Sequence, residues 1–176
     1  MSLLSHHASS ADLPICLTCG TQFAEPSPAR CPICEDERQY VPVEGQRWTT
    51  LAALRESHGN WIRDDAGFVG IGTEPAFAIG QRALLVPWRG ANLMWDCISL
   101  LDDETADEVE VLGGLAGVAI SHPHYYSCLA EWARRFDCPV YLHADDAAWL
   151  MRPDDHVVHW EGETHELGDG LTLVRC

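Results

Sequence analysis

Two Cys-x-x-Cys pairs, Cys16 with Cys19 and Cys31 with Cys34, constrain this chain more than any other feature, because four thiols at that spacing dictate a local fold. Two intervening residues let both sulfurs of a pair face one point from a tight turn, and Gly20 can take the backbone conformation such a turn demands. Eleven residues separate the pairs, so two turns can face each other and supply a closed tetrahedral zinc site. With all four positions filled by protein, such a site is structural. A redox Cys-x-x-Cys usually occurs once, at a helix start inside a βαβ pattern, and the second pair argues against it. Iron accepts the same four ligands, but zinc is the preferred reading. Eight cysteines suit a disulfide scaffold only in a secreted chain, and the start of this one has neither the basic region nor the apolar stretch of a signal peptide. A cytoplasmic location is expected.

The 176 residues are enough for one ordinary domain beside a small metal-stapled module. Residues 1–11 are polar and expected to be a disordered tail, 12–47 a zinc-ribbon-like module, and 48–66 a linker containing a short helix. Thr49 or Thr50 can cap that helix, Leu51 and Leu54 share a face, and Gly59 can end it. From residue 67 onward short apolar runs alternate with turns. Residues 76–79, 83–86, 92–95, 118–120, 140–142 and 171–174 read as strands, and 126–136 as an amphipathic helix with Leu129, Trp132, Ala133 and Phe136 on one face. No apolar run approaches the ~20 residues of a membrane span. The net charge is −16 and all 11 cations are arginine, a surface that repels polyphosphate and makes nucleic acid an unsuitable partner.

A second chemical signal follows the apolar run 117–120. His122 and His124 lie two apart just past its end, and residues two apart on an extended segment project to the same side. Two imidazoles can thus reach one metal from a strand's C-terminal end, where α/β proteins commonly place their sites. Taken alone, such a pair is more often structural or simply exposed.

The order of motifs from about residue 77 resembles the metallo-β-lactamase-fold hydrolases. Ala91-Asn-Leu-Met-Trp-Asp96 is similar to their early strand ending in aspartate, and Ile120-Ser-His122-Pro-His124 to the start of their Thr-His-x-His-x-Asp-His motif. Cys138-Pro-Val-Tyr-Leu-His143 and the stretch 166–174 resemble the strand and hairpin that come next. The resemblance implies an α/β fold of the αββα sandwich type, with residues 67–176 furnishing its N-terminal half after the zinc ribbon. It implies His122 and His124 as ligands of a catalytic zinc or iron, and Asp96 as a support behind them. Where the family carries Asp and His, this chain has Tyr126 and Ser127, which removes second-metal ligands and leaves Tyr126 to orient substrate or fill the vacated space. The family's Gly-His loop and later ligands fall beyond Cys176, so the site is expected to be incomplete and the sheet's inner face free to self-associate.

Other groups carry weaker expectations. His143, Asp145 and Asp146 are candidates to complete the site, with solvated loop positions the simpler reading; His156, His159 and His165 read as surface, and Cys97, Cys128 and Cys138 as small apolar fillers. Tyr125, Tyr126, Trp88 and Trp95 can line an apolar pocket or simply pack the core. The expected function is a metal-dependent hydrolase in which zinc-activated water attacks an ester, lactone, thioester or amide of a small molecule. The alternative is a non-catalytic zinc-binding scaffold.

Overall fold

A computed structural model describes residues 9–35 and 41–176 of the chain. Its centre is a seven-stranded sheet whose strands neighbour one another in chain order. The strands β3 (Gly59–Asp65), β4 (Phe68–Glu74), β5 (Arg82–Trp88) and β6 (Ala91–Trp95) run antiparallel to their neighbours. Ala66 with Gly67, and Arg89 with Gly90, all have positive φ, the two-residue turn whose twist matches that of paired strands. From β6 the pairing becomes parallel, through β7 (Leu115–Ala119), β8 (Val140–His143) and β9 (Val157–Trp160). Parallel neighbours need crossovers, and α2 (Asp103–Val111) and α3 (Leu129–Phe136) provide the first two. The third is a 3-10 segment, Ala144–Trp149.

Side chains alternate between the two faces of the sheet. Ala83, Leu85, Met94, Val118, Val140 and Leu142 enter the core under the helices, where Trp132 and Ala133 of α3 and Val109 of α2 meet them. Leu93, Ala119 and Trp160 point the other way, with Trp88, onto Leu167 and Leu173 of a hairpin formed by β10 (Thr164–Gly168) and β11 (Leu171–Val174). Trp88 Nε1 donates to Gly168 O at 3.2 Å and Arg89 to Leu167 O at 2.7 Å, so the hairpin is tied to the sheet by polar contacts as well. The layers are therefore helices, a mixed sheet and part of a second β-layer. The fold is mixed α/β, as the order of elements implies.

The N-terminal module joins this body through its own strands. β1 (Pro14–Cys16) pairs antiparallel with β2 (Trp48–Thr50), and α1 (Leu51–Ser57) follows at once, with Thr50 Oγ1 accepting from Ala53 N at 3.2 Å. Leu51 and Leu54 pack with Ile15, Phe77 and Leu100.

The structure corrects several sequence expectations. The short helix expected over 49–58 forms as α1, but the rest of the segment expected as linker is strand: β2 precedes the helix, and β3 follows it and belongs to the large sheet, so the sheet begins before residue 67. Gly70 and Gly72 hide the partner strand from a propensity reading. A Cβ at Gly72 would strike the Trp61 ring across the ladder, which is why the residue is glycine. Residues 76–79 form no strand but a turn with Ala78 at φ 51, and Phe77 anchors it beneath α1. Helix α2 was not expected because its apolar stripe is thin. Its start is carried instead by Asp102, whose carboxylate accepts from Thr105 N at 2.8 Å, and by two further acids in the first turn. Cys97, Cys128 and Cys138 are buried fillers, as expected. Among the described residues no helix is long and apolar enough to cross a membrane.

His156 is not a loose surface residue. Its Nδ1 lies 2.7 Å from Asp154 Oδ1 and its Nε2 3.3 Å from Asp137 Oδ1, while Arg134 Nε reaches Asp154 Oδ2 at 2.7 Å. Hydrogen bonding to Asp154 raises the imidazole pKa. Burial pushes the Asp154 carboxyl up, but bonds from His156 and the Arg134 charge outweigh it and hold the group below its ordinary value. The imidazolium contribution is complete below an ordinary histidine pKa of about 6.5 and is lost as pH rises through the raised folded value. The Asp154 contribution is complete above the ordinary carboxylate value and is lost as pH falls through the lowered one. His156→Gln should therefore cost most in Tm near pH 5 to 6, and the gap to wild type should shrink by pH 9 in melts followed by circular dichroism.

Candidate functional site

The four paired cysteines come together. Cys16 ends β1, Gly20 N returns to Cys16 O at 2.8 Å to close the first turn, and Cys34 N returns to Cys31 O at 3.1 Å to close the second. Gln46 clamps the second turn, accepting from Cys31 N and donating to Cys31 O. The Sγ atoms of Cys16 and Cys34 lie 3.6 Å apart, as do those of Cys19 and Cys31, and all four lie within 4.8 Å of one another. A tetrahedron with metal–sulfur bonds of ~2.3 Å has edges of ~3.8 Å, so the sulfurs are placed to hold one ion. Each cysteine is at most 1% exposed, and Phe23, Ile33 and Trp48 form an apolar shell around them.

Packed thiols cannot all ionise side by side without a cation. Hydrogen bonds from Cys19, Cys31 and Cys34 push Cys16 down. For Cys19, the bond to Cys16 pushes up, but those with Cys31 and Cys34 prevail and lower it. Cys31 and Cys34 are pushed up, chiefly by their bonds to Cys16 and Cys19. A bound divalent ion removes that conflict by letting every sulfur carry charge.

The histidine pair sits at the far end of β7. His122 caps a 3-10 turn, Pro123–Tyr125, and its Nδ1 accepts from His124 N at 3.3 Å. The rings lie nearly parallel with centroids 4.7 Å apart, and their Nδ1 atoms are 3.0 Å apart. His122 is exposed and His124 buried. Behind them Asp96, at the end of β6 with φ 64, accepts from Ser121 N at 2.9 Å and Ser121 Oγ at 2.7 Å. Burial raises the Asp96 carboxyl pKa, against the bonds from Ser121 and the neighbouring His122.

A cleft of about 310 Å³ opens beside the pair, walled by Ile33, Pro123, Asp146, Trp149 and Cys176. A second hollow of about 310 Å³ shares Ser121, Asp146 and Cys176 with it and is lined by Trp95, Trp160 and Leu173. Trp95 thus meets the pocket expectation. Trp88 packs under the hairpin instead, and Tyr126 is buried among the helices with its phenol pKa pushed up and its OH 3.5 Å from Asp146 O. Tyr126 is not a wall of the histidine cleft. His143 faces the second hollow but is engaged: its Nδ1 accepts from Asp145 N at 3.2 Å, its Nε2 lies 3.1 Å from Gly162 O, and its ring meets Trp160 edge-on. Asp145 pairs with Arg175 at 2.7 Å. His159 is exposed, and His165 packs against Trp160. Among the described residues only the four cysteines gather three or more metal-donor groups.

Sequence reasoning missed Ile33, Trp149, Trp160 and Gln81. Ile33 carried a readable signal, an apolar residue between two ligands. The Gln81 amide is buried between the two sites and had no local signal.

The comparisons with known proteins stand beside this geometry. No family model matches the chain. Among solved structures it is similar to the DIM-1 metallo-β-lactamase exposed to ceftazidime, with a TM-score of 0.49 and 15% identity, covering 64% of this chain and 56% of that one. In sequence it is 47% identical over 167 residues to the uncharacterized protein YmaE of Bacillus subtilis (strain 168). That alignment covers 92% of this chain and 61% of YmaE, so the chain spans less than two thirds of that relative's length.

Gly20 marks how tightly the first cysteine turn is built, since φ is +79 and a Cβ would collide with Ser99 Oγ. Gly20→Ala should lose at least about 1–2 kcal/mol from left-handed strain alone, read as a lower urea midpoint with unchanged slope.

Proposed function

We propose that this chain belongs to a zinc-dependent hydrolase, with a structural zinc on Cys16, Cys19, Cys31 and Cys34 and a catalytic cation on His122 and His124. One observation carries the reading: two imidazole nitrogens lie 3.0 Å apart at a strand's C-terminal end, beside an open cleft. A tetrahedral zinc with bonds of ~2.0–2.1 Å needs ligand nitrogens ~3.3 Å apart, close to the spacing seen, and requires the stacked rings to rotate until their in-plane lone pairs converge on one point. The motif resemblance around Asp96 and His122 supports the same assignment.

Bound there, the ion supplies Lewis acidity toward a carbonyl or phosphoryl oxygen and acidifies water. The protein's own part is positioning. Asp96 fixes Ser121, the residue before His122, through two hydrogen bonds and so sets where the histidine turn leaves the strand. Trp95, Trp160 and Leu173 offer an apolar wall to the non-reacting part of a small ester, lactone, thioester or amide. A net charge of −16 disfavours polyanionic substrates.

A second reading, a non-catalytic zinc scaffold, is favoured by a specific contrast. The cysteine cluster brings four donors together and is buried, whereas no third thiol, carboxylate or imidazole among the described residues joins the histidines. Catalytic zinc takes three protein ligands and leaves one position open.

Metal content by plasma mass spectrometry separates the two. The hydrolase reading expects two zinc equivalents, of which His122→Ala removes one and Cys34→Ser the other, together with turnover of a chromogenic ester or lactone that His122→Ala abolishes. A single equivalent, sensitive only to cysteine substitution, makes the chain a scaffold. Asp96→Ala should keep the cysteine-bound zinc and weaken the histidine-bound one by about 10-fold to 100-fold, measured by competition with a chromogenic chelator.

A further inference from the structure

Two sites that lie about a hundred residues apart in sequence share a buried amide. Gln81, just before β5, is 5% exposed, and its Nε2 donates to Cys19 O and to His124 O, each at 2.6 Å. Cys19 is a ligand of the cysteine cluster, and His124 is half of the histidine pair. A carboxamide nitrogen has two N–H bonds, and here each serves one carbonyl. At the other end the single Ser99 hydroxyl proton is shared between two acceptors, Gly20 O at 2.8 Å and Gln81 Oε1 at 3.3 Å. A Cβ on Gly20 would collide with Ser99, so the first cysteine turn rests directly on this network.

Two further contacts run between the same segments. Gln22 N donates to Ser127 O at 3.0 Å, just past the histidine turn, and Ile33, from between Cys31 and Cys34, walls the histidine cleft. The cysteine module therefore forms one side of the cleft.

We propose that Gln81 is a positioning residue that locks the His122–His124 turn onto the cysteine module, so that an occupied cysteine centre sets the affinity of the histidine pair for a cation. The physical chain is short. Metal binding fixes the carbonyl of Cys19, the Gln81 amide copies that position to the carbonyl of His124, and the backbone at His124 determines where its ring points. Residue identity is demanded by the chemistry: glutamate would set an oxygen against two carbonyl oxygens, and asparagine is one methylene too short for the same span. The cation half of the proposal rests on the hydrolase reading. The mechanical half, between cysteine centre and histidine turn, does not.

The test uses the full chain loaded with zinc at the cysteines. Backbone amide exchange over residues 121–127 is followed by mass spectrometry, and cobalt(II) is titrated into the same protein and read by its visible d–d absorption. In Gln81→Glu, one tight zinc should remain, exchange over 121–127 should quicken by about tenfold or more, because the bond to His124 O is lost and an oxygen faces that carbonyl, and cobalt affinity should fall by about tenfold or more. Ser99→Ala should move both in the same direction by less, and it carries the comparison if Gln81→Glu does not fold. Stripping the cysteine zinc from wild type with a chelator should quicken the same segment.

Asn92→Asp is the control. The Asn92 amide also bridges two carbonyls, of Leu112 and Gly114, each at 3.0 Å, but away from both sites. It should lower Tm without selectively freeing 121–127. Exchange and cobalt affinity unchanged in both Gln81→Glu and Ser99→Ala, or changed equally by Asn92→Asp, would overturn the proposal. If wild type itself takes no cobalt beyond the cysteines, the hydrolase reading fails, and the exchange comparison still decides whether the two sites are coupled.

Discussion

The parallel pairing of β6 with β7 is the seam from which the rest is placed. Trp95 lies opposite Ala119 across it, which brings Asp96 beside Ser121 and delivers the histidine turn at the sheet's C-terminal edge. The same seam divides an antiparallel hairpin region from a parallel one. A parallel step requires a crossover, so α2 and α3 must lie against the sheet, and their apolar faces build the larger core around Met94, Val118 and Trp132. On the opposite face Leu93 and Ala119, one residue along from Met94 and Val118, meet the β10–β11 hairpin.

The N-terminal module is not an appendage tethered by a linker. It contributes β1 to a small sheet with β2, shares a core with α1, Phe77 and Leu100, and abuts the histidine turn through Gln22 and Gln81. Such integration puts the cysteine cluster in contact with more than its own turns. The four buried sulfurs are placed to share one ion, and an ion held there would stiffen the backbone that carries them. On that backbone the carbonyl of Cys19 accepts from the amide that also holds His124.

The sequence carried the cysteine cluster almost whole, because thiol spacing within a turn is a local property. It carried most strands of the large sheet for a similar reason: apolar runs between turn residues report burial directly. It failed where the governing contact is distant. β3 and β4 carry glycine, charge and tryptophan in an order that makes sense only once Trp61 lies over Gly72. The 76–79 run is apolar because Phe77 fills a gap under α1, not because it extends. The histidine pair was legible as a pair, yet whether its nitrogens converge depends on a turn held by Asp96 and Gln81, residues 26 and 41 positions before His122.

By itself, then, the sequence determined where metal-binding thiols meet, which runs are buried, and that two imidazoles leave one strand together. These follow from spacing over a few residues, where backbone geometry leaves little choice. Tertiary structure alone decided that the cysteine module walls the histidine cleft, that Tyr126 turns into the helical core, and that His143 is engaged by Gly162 and Trp160. Those outcomes depend on contacts between segments far apart in the chain, and no local pattern encodes which carbonyl a buried amide will find.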